Sequence, residues 1–170
     1  MAGVADVKAA ALDIVGRICG NKVQSFSEAE AGRILHAYLV GRHGGVWPEC
    51  PVKIGNKLGA IDFRFGDWPY GRNPCALELA VRNSNEGSQL LASQNKSELT
   101  KLSRYPVSKA QTRVLLLLDF GHKAMRKRDL KPGYDNIKHL GPGKFQRLSV
   151  SVLYVHRDHN YRFIWRAQPL

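Results

Sequence analysis

Residues 58–83 read LGAIDFRFGDWPYGRNPCALELAVRN, and few architectures accommodate such a string. Two runs in it, AIDFRF and CALELAV, alternate in character with the period of a β-strand and flank a turn rich in Gly, Pro and Asn. Alternation puts Ile61, Phe63 and Phe65 on one face of the first run, and Asp62 and Arg64 on the other. In the second run Leu77, Leu79 and Val81 share a face, with Glu78, Ala80 and Arg82 opposite them. If Phe65 pairs with Cys75 across the turn, Asp62 faces Glu78. A slip of one residue would bury the charges and expose the apolar row. Two carboxylates set opposite one another destabilise a sheet by roughly 0.2–1 kcal/mol. A cation between them reverses the sign, and a hard divalent ion such as Mg²⁺ or Mn²⁺ takes such oxygens while keeping waters of its own.

Around this hairpin the remaining elements fall into order. Residues 4–19 carry Val4, Val7, Ala11, Ile14 and Ile18 at three- and four-residue spacing, an amphipathic helix. A second helix is expected over residues 27–40, with Ser27 and Glu30 forming a capping box at its start. Residues 46–54 read as a strand interrupted by Pro48 and Pro51, which places it at an edge or makes it bulged. After the hairpin come a helix over residues 90–104 and the run RVLLLLD at residues 113–119, a strand covered on both faces. A helix between that strand and the one bearing Glu78 makes the two parallel. A basic segment, residues 121–131, and a closing hairpin, residues 147–155 and 161–166, complete a single domain spanning residues 1–170. No apolar run approaches the roughly 20 residues of a membrane helix. The three cysteines lack CxxC spacing, and no secretion signal is evident; both suit a reducing, cytoplasm-like compartment.

Charge separates the halves of the chain. Residues 1–95 hold 10 basic and 9 acidic residues, whereas residues 96–170 hold 16 and 5. An excess of this kind suits a polyanion, because each phosphate neutralised releases counterions. Nucleic acid, with DNA first, is the expected partner, and Lys96, Lys123, Arg126, Lys127, Arg128 and Lys131 are the candidate contacts. Trp47, Trp68, Tyr70 and Trp165 are candidates to stack on bases, with core packing the better account of Trp47 and Trp165.

The order α-β-β-β-α-β, with Asp62 in the second strand and Glu78 in the third, resembles the restriction-endonuclease-like PD-(D/E)xK nucleases over about residues 27–119. The resemblance implies an α/β fold with a mixed sheet, an extra N-terminal helix and a C-terminal β-hairpin added to the core. It implies Mg²⁺ held by Asp62 and Glu78, and a third acid on the first core helix, Glu30 before Glu28. It also implies a lysine two residues after the glutamate, where this chain has Ala80. Arg82 on the same strand face, or Lys96 or Lys101 on the following helix, is the substitute cation. The expected activity is phosphodiester hydrolysis in DNA or structured nucleic acid. The alternatives are a degenerate relative that binds without cutting, and a subunit whose basic surface meets an acidic protein. A homodimer would supply two sites for cutting both strands of a duplex.

Overall fold

A computed structural model describes residues 3–20, 27–43, 45–66, 74–83, 88–106, 108–135, 150–157 and 162–166. Its elements run α1 (Val4–Gly20), α2 (Glu28–His43), β1 (Val46–Ile54), β2 (Lys57–Phe65), β3 (Cys75–Arg82), α3 (Lys96–Arg104), β4 (Thr112–Asp119), α4 (Lys127–Asp135), β5 (Ser151–His156) and β6 (Arg162–Arg166). The strands form one mixed sheet in sequence order. β3, β4 and β5 are parallel neighbours, while β1–β2, β2–β3 and β5–β6 are antiparallel. Among the described residues, no helix is long and apolar enough to cross a membrane.

The apolar run expected to be covered on both faces is so covered. Val114, Leu116 and Leu118 join the core beneath α1 and α2, with Ile14, Leu35, Leu39, Leu77 and Leu79. Leu115 and Leu117 join a second core beneath α3 and α4, with Leu99, Leu102, Leu130 and Tyr134. Each such leucine, fully buried, stabilises the fold by about 1.5–3 kcal/mol. The result is a three-layer arrangement with the sheet between two helical layers.

The hairpin register is the expected one, with Phe65 opposite Cys75 and Phe63 opposite Leu77. Strict alternation fails at one point. Phe63 and Phe65 lie in the core under α2, but Ile61 lies in the other core with Cys50 and Val52. The break coincides with a defect in β1. Pro48 pairs with Phe63 and Cys50 with Ile61, but Glu49, at φ 50°, drops out of the ladder opposite Asp62. A non-glycine residue at positive φ between two strand pairs is a local distortion of the edge. β1 is therefore the irregular edge strand its prolines announce.

Three other expectations shift. The helix expected from residue 90 begins at Lys96, because the Asn95 side chain folds back and donates to the Gln89 and Leu91 carbonyls at 2.8 and 3.1 Å, holding residues 88–95 in turns. Of the closing hairpin, β5 is described from Ser151, and the expected strand residues 147–149 lie, with the rest of 136–149, outside the described residues. Trp47, expected in the core, is 39% exposed, with the Arg64 guanidinium 4.8 Å above its ring. Trp68 and Tyr70 lie outside the described residues, as does the Trp165 side chain.

Candidate functional site

Asp62, Glu78 and Lys101 come together where β2, β3 and α3 meet. The Asp62 carboxylate accepts the Leu79 backbone N–H at 2.7 Å, so a side chain does the work of a ladder carbonyl just where the recorded β2–β3 pairing ends. Glu78 points to the opposite face from Leu77 and Leu79 and is fully buried under α3. From α3 the Lys101 ammonium donates to Glu78 Oε2 at 3.0 Å and lies 2.9 Å from Oε1. It also pairs with Glu98 one turn earlier on the same helix. The pairing of Lys101 with Glu98 and its approach to Glu78 are thus simultaneous, not alternatives.

Several residues hold the lysine in place. Arg113 on β4 is buried and donates to the Ser103 carbonyl at 3.1 Å and to the Tyr105 carbonyl at 2.5 Å. These carbonyls end α3, so a cation at the helix C-terminus satisfies groups the helix cannot. Gly59 of β2 leaves a path for the lysine stem, since a Cβ there would come within 3.5 Å of Lys101 Cδ. A bulkier residue at position 59 would push that stem aside.

Electrostatically the cluster is strained. Burial, reinforced by the neighbouring Asp62 charge, pushes Glu78 up to about 10. Burial also raises Asp62, against the opposing effect of the Leu79 N–H bond. Burial alone would depress Lys101, but its bonds to Glu98 and Glu78 carry it up to about 12. For Glu98, burial is outweighed by the hydrogen bonds it makes with Lys101, and its pKa falls. At neutral pH the Lys101 ammonium therefore faces a Glu78 carboxyl that burial keeps protonated, beside Asp62, which shares the buried setting.

Of the two acids in the first turn of α2, Glu28 lies within the field of the Asp62 charge and Glu30 is held by Ser27. Glu30 accepts from the Ser27 N–H at 2.9 Å and the Ser27 hydroxyl at 2.7 Å, and donates its own N–H to Ser27 Oγ at 3.2 Å. It is wholly occupied as a capping box at the exposed helix start. Glu28 instead feels Asp62 and Glu98, and burial together with those charges raises its pKa. A signal for this lies in the sequence. Ala31, Leu35 and Leu39 form the buried stripe of α2, and Glu28 lies one turn back on that face, exposed at the helix start.

Arg82 does not reach Glu78. Its Nε and Nη2 donate to the two oxygens of buried Asp119 at 2.7 and 2.6 Å, and Nη2 also donates to the Lys123 carbonyl at 2.6 Å. Arg82 and Asp119 are register partners across β3 and β4, which the parallel pairing of the two runs makes readable after the fact. Lys96 opens α3 on its exposed side, about 140° around the helix from Lys101 at 3.6 residues per turn. Lys123, Arg126, Lys127, Arg128 and Lys131 are exposed along the loop after β4 and along α4, with Arg126 paired to Asp129 at 2.8 Å.

Among the described residues no group of three or more His, Cys, Asp or Glu side chains is arranged to hold a metal. Asp62 and Glu78 nevertheless fit a divalent ion as a pair. Both carboxyl groups are raised as carboxylates lacking a sufficient cation are, Lys101 being the one cation already at Glu78. Mg²⁺ is commonly held by one or two carboxylates, with waters and substrate phosphates completing its shell. Beside Asp62 opens a cavity of about 500 Å³, lined by residues of α2, β1, β2 and β3. Comparison with protein-family models, with curated proteins and with solved structures returns no match to this chain.

Proposed function

We propose that the chain is a metal-dependent phosphodiesterase of nucleic acids on a restriction-endonuclease-like αβββαβ core, α2 to β4. The observation that carries this reading is the Lys101 ammonium 3.0 Å from Glu78, beside Asp62. Where the resembled nucleases carry a lysine in the strand, this chain has buried Ala80, and α3 supplies an ammonium to the same carboxylate. Asp62 and Glu78 would hold the ion. When bound, it supplies Lewis acidity at the scissile phosphate and a water of lowered pKa.

Lys101, raised by its two glutamates, stays protonated at neutral pH and acts as fixed positive charge for the transferring phosphoryl group, not as a base. Glu28, with its raised pKa, is the group suited to accept a proton from the attacking water. Glu98 keeps Lys101 charged and oriented. The basic loop and α4 attract the phosphate backbone.

A second reading, a binder that does not cut, is favoured by the limited set of ligands, two carboxylates already engaged with Lys101 and the Leu79 amide. Incubation with plasmid, linear duplex, single-stranded DNA and RNA in Mg²⁺, Mn²⁺ or chelator decides between them. A nuclease cuts only with metal, loses all cutting in Asp62→Asn, and loses on the order of 10²- to 10³-fold in Lys101→Met. Retained binding with no cutting under any condition would leave the binder; unchanged cutting in Asp62→Asn would sink the site.

A further inference from the structure

The cavity shares Asp62 with the metal pair and extends from it along α2 and the β1 defect. Its walls are Glu28, Ala29, Gly32, Arg33 and His36 of α2, Pro48 and Glu49 at the β1 defect, and Asp62, Phe63 and Leu79 of the sheet. About 500 Å³ is within the range of pockets that hold one small organic ligand. The volume exists because α2 presents small residues there. A Cβ on Gly32 would touch only Phe63 Cζ, at 3.8 Å. The His36 and Phe63 rings lie 6.0 Å apart and 27° from parallel, giving the cavity an aromatic wall.

The lining holds three acids, one guanidinium and one imidazole; with Asp62 given to the metal and Glu28 to the attacking water, Glu49 is the carboxylate left for a ligand. Such a lining suits a neutral planar heterocycle that stacks on an aromatic side and donates a hydrogen bond to a carboxylate oxygen. We infer that the cavity receives an unpaired nucleobase next to the scissile phosphate, and prefers the bases with an exocyclic amine donor, cytosine, adenine and guanine, over thymine or uracil, which present carbonyls there. The inference rests on the nucleic-acid reading above and narrows the substrate class. A base held in a duplex stack cannot enter such a cavity without being extruded, so single strands, flaps and mismatched sites are the natural substrates.

The test measures anisotropy of labelled oligo-dC, oligo-dA, oligo-dT, an abasic strand and a blunt duplex with the full chain in Ca²⁺. The expected result is dC and dA binding roughly tenfold tighter than dT, with the abasic strand and the duplex weaker still. In Gly32→Leu the side chain fills the cavity and the preference for dC and dA disappears. His36→Ala weakens all three bases together, and a thermal melt of each variant separates a filled or stripped pocket from a lost fold. Equal affinity for dC, dT and the abasic strand, or a preference that survives Gly32→Leu, overturns the inference. Base preference that is lost in Gly32→Leu, together with no cutting in Mg²⁺, supports the pocket and removes the nuclease reading alone.

Discussion

A carboxyl group buried beside a second carboxyl is driven toward its protonated form, and at Glu78 the Lys101 ammonium opposes that shift without reversing it. Its folded-state pKa of about 10 stands far above the ordinary 4.5. Between those values the folded protein holds a proton that the unfolded chain has released, so stability falls as pH rises through the window. Glu78→Gln removes the titrating group while keeping its shape. In chelator it should melt higher than the parent at neutral pH, by roughly 1 kcal/mol or more, with a difference that widens toward alkaline pH and vanishes near pH 4. Parallel melting curves at pH 5 and pH 9 would rule this out. The same variant should not cut nucleic acid, so the group that destabilises the metal-free fold is the one the chemistry needs.

At the level of elements, the ends of β3, β4 and β5 are tied by one buried anion. Asp119 receives both nitrogens of the Arg82 fork, the Tyr154 hydroxyl at 2.5 Å and the Gly121 N–H at 2.8 Å. The Met125 N–H donates in turn to the Tyr154 oxygen at 2.8 Å. This knot fixes the backbone from which the basic segment departs. Gly121 is the tight point, because a Cβ there would sit 2.5 Å from Arg82 Nη2. Gly121→Ala should therefore cost about 1–3 kcal/mol and loosen the basic segment, seen as faster amide exchange over residues 121–126 with little change around Glu78. Local alternation with the Phe65–Cys75 register was enough to bring Asp62 near Glu78, but not to show that the ladder stops at Phe63–Leu77 and Asp62 turns to the Leu79 N–H. It does not separate Glu28 from Glu30, both in the first turn of α2; only the helical spacing of Ala31, Leu35 and Leu39 puts Glu28 on the sheet-facing side, near the Asp62 charge. Nor could it place Arg82, whose partner lies 37 residues away and becomes a neighbour only once β3 and β4 pair.

Across the whole molecule, the charge asymmetry readable from composition finds a physical location. Lys123, Arg126, Arg128 and Lys131 stand exposed on the loop and helix that follow β4, while the acids Asp62, Glu78, Glu28 and Glu98 gather at the junction of β2, β3, α2 and α3. Binding through the basic segment should weaken with salt, the log–log slope changing by about 0.9 for each phosphate contacted. Arg128→Ala and Lys131→Ala should each flatten that slope by about 1, whereas Asp62→Asn should leave it alone. A slope near zero in the parent would remove nucleic acid as the partner and turn attention to an acidic protein. Which distant residues meet on this scale, Lys101 with Glu78 above all, is set by how α3 docks on the sheet, and that docking is governed by Leu99, Leu102 and Arg113 together instead of by any local pattern.

The bond from the Leu79 amide to Asp62 couples the sheet directly to whatever the carboxylate holds. A ligand that draws electron density from Asp62 lengthens or polarises that one bond. The Leu79 amide resonance is accordingly a built-in indicator of occupancy: a single nitrogen–proton signal, deep in a rigid strand, that reports filling of the site without any reaction taking place.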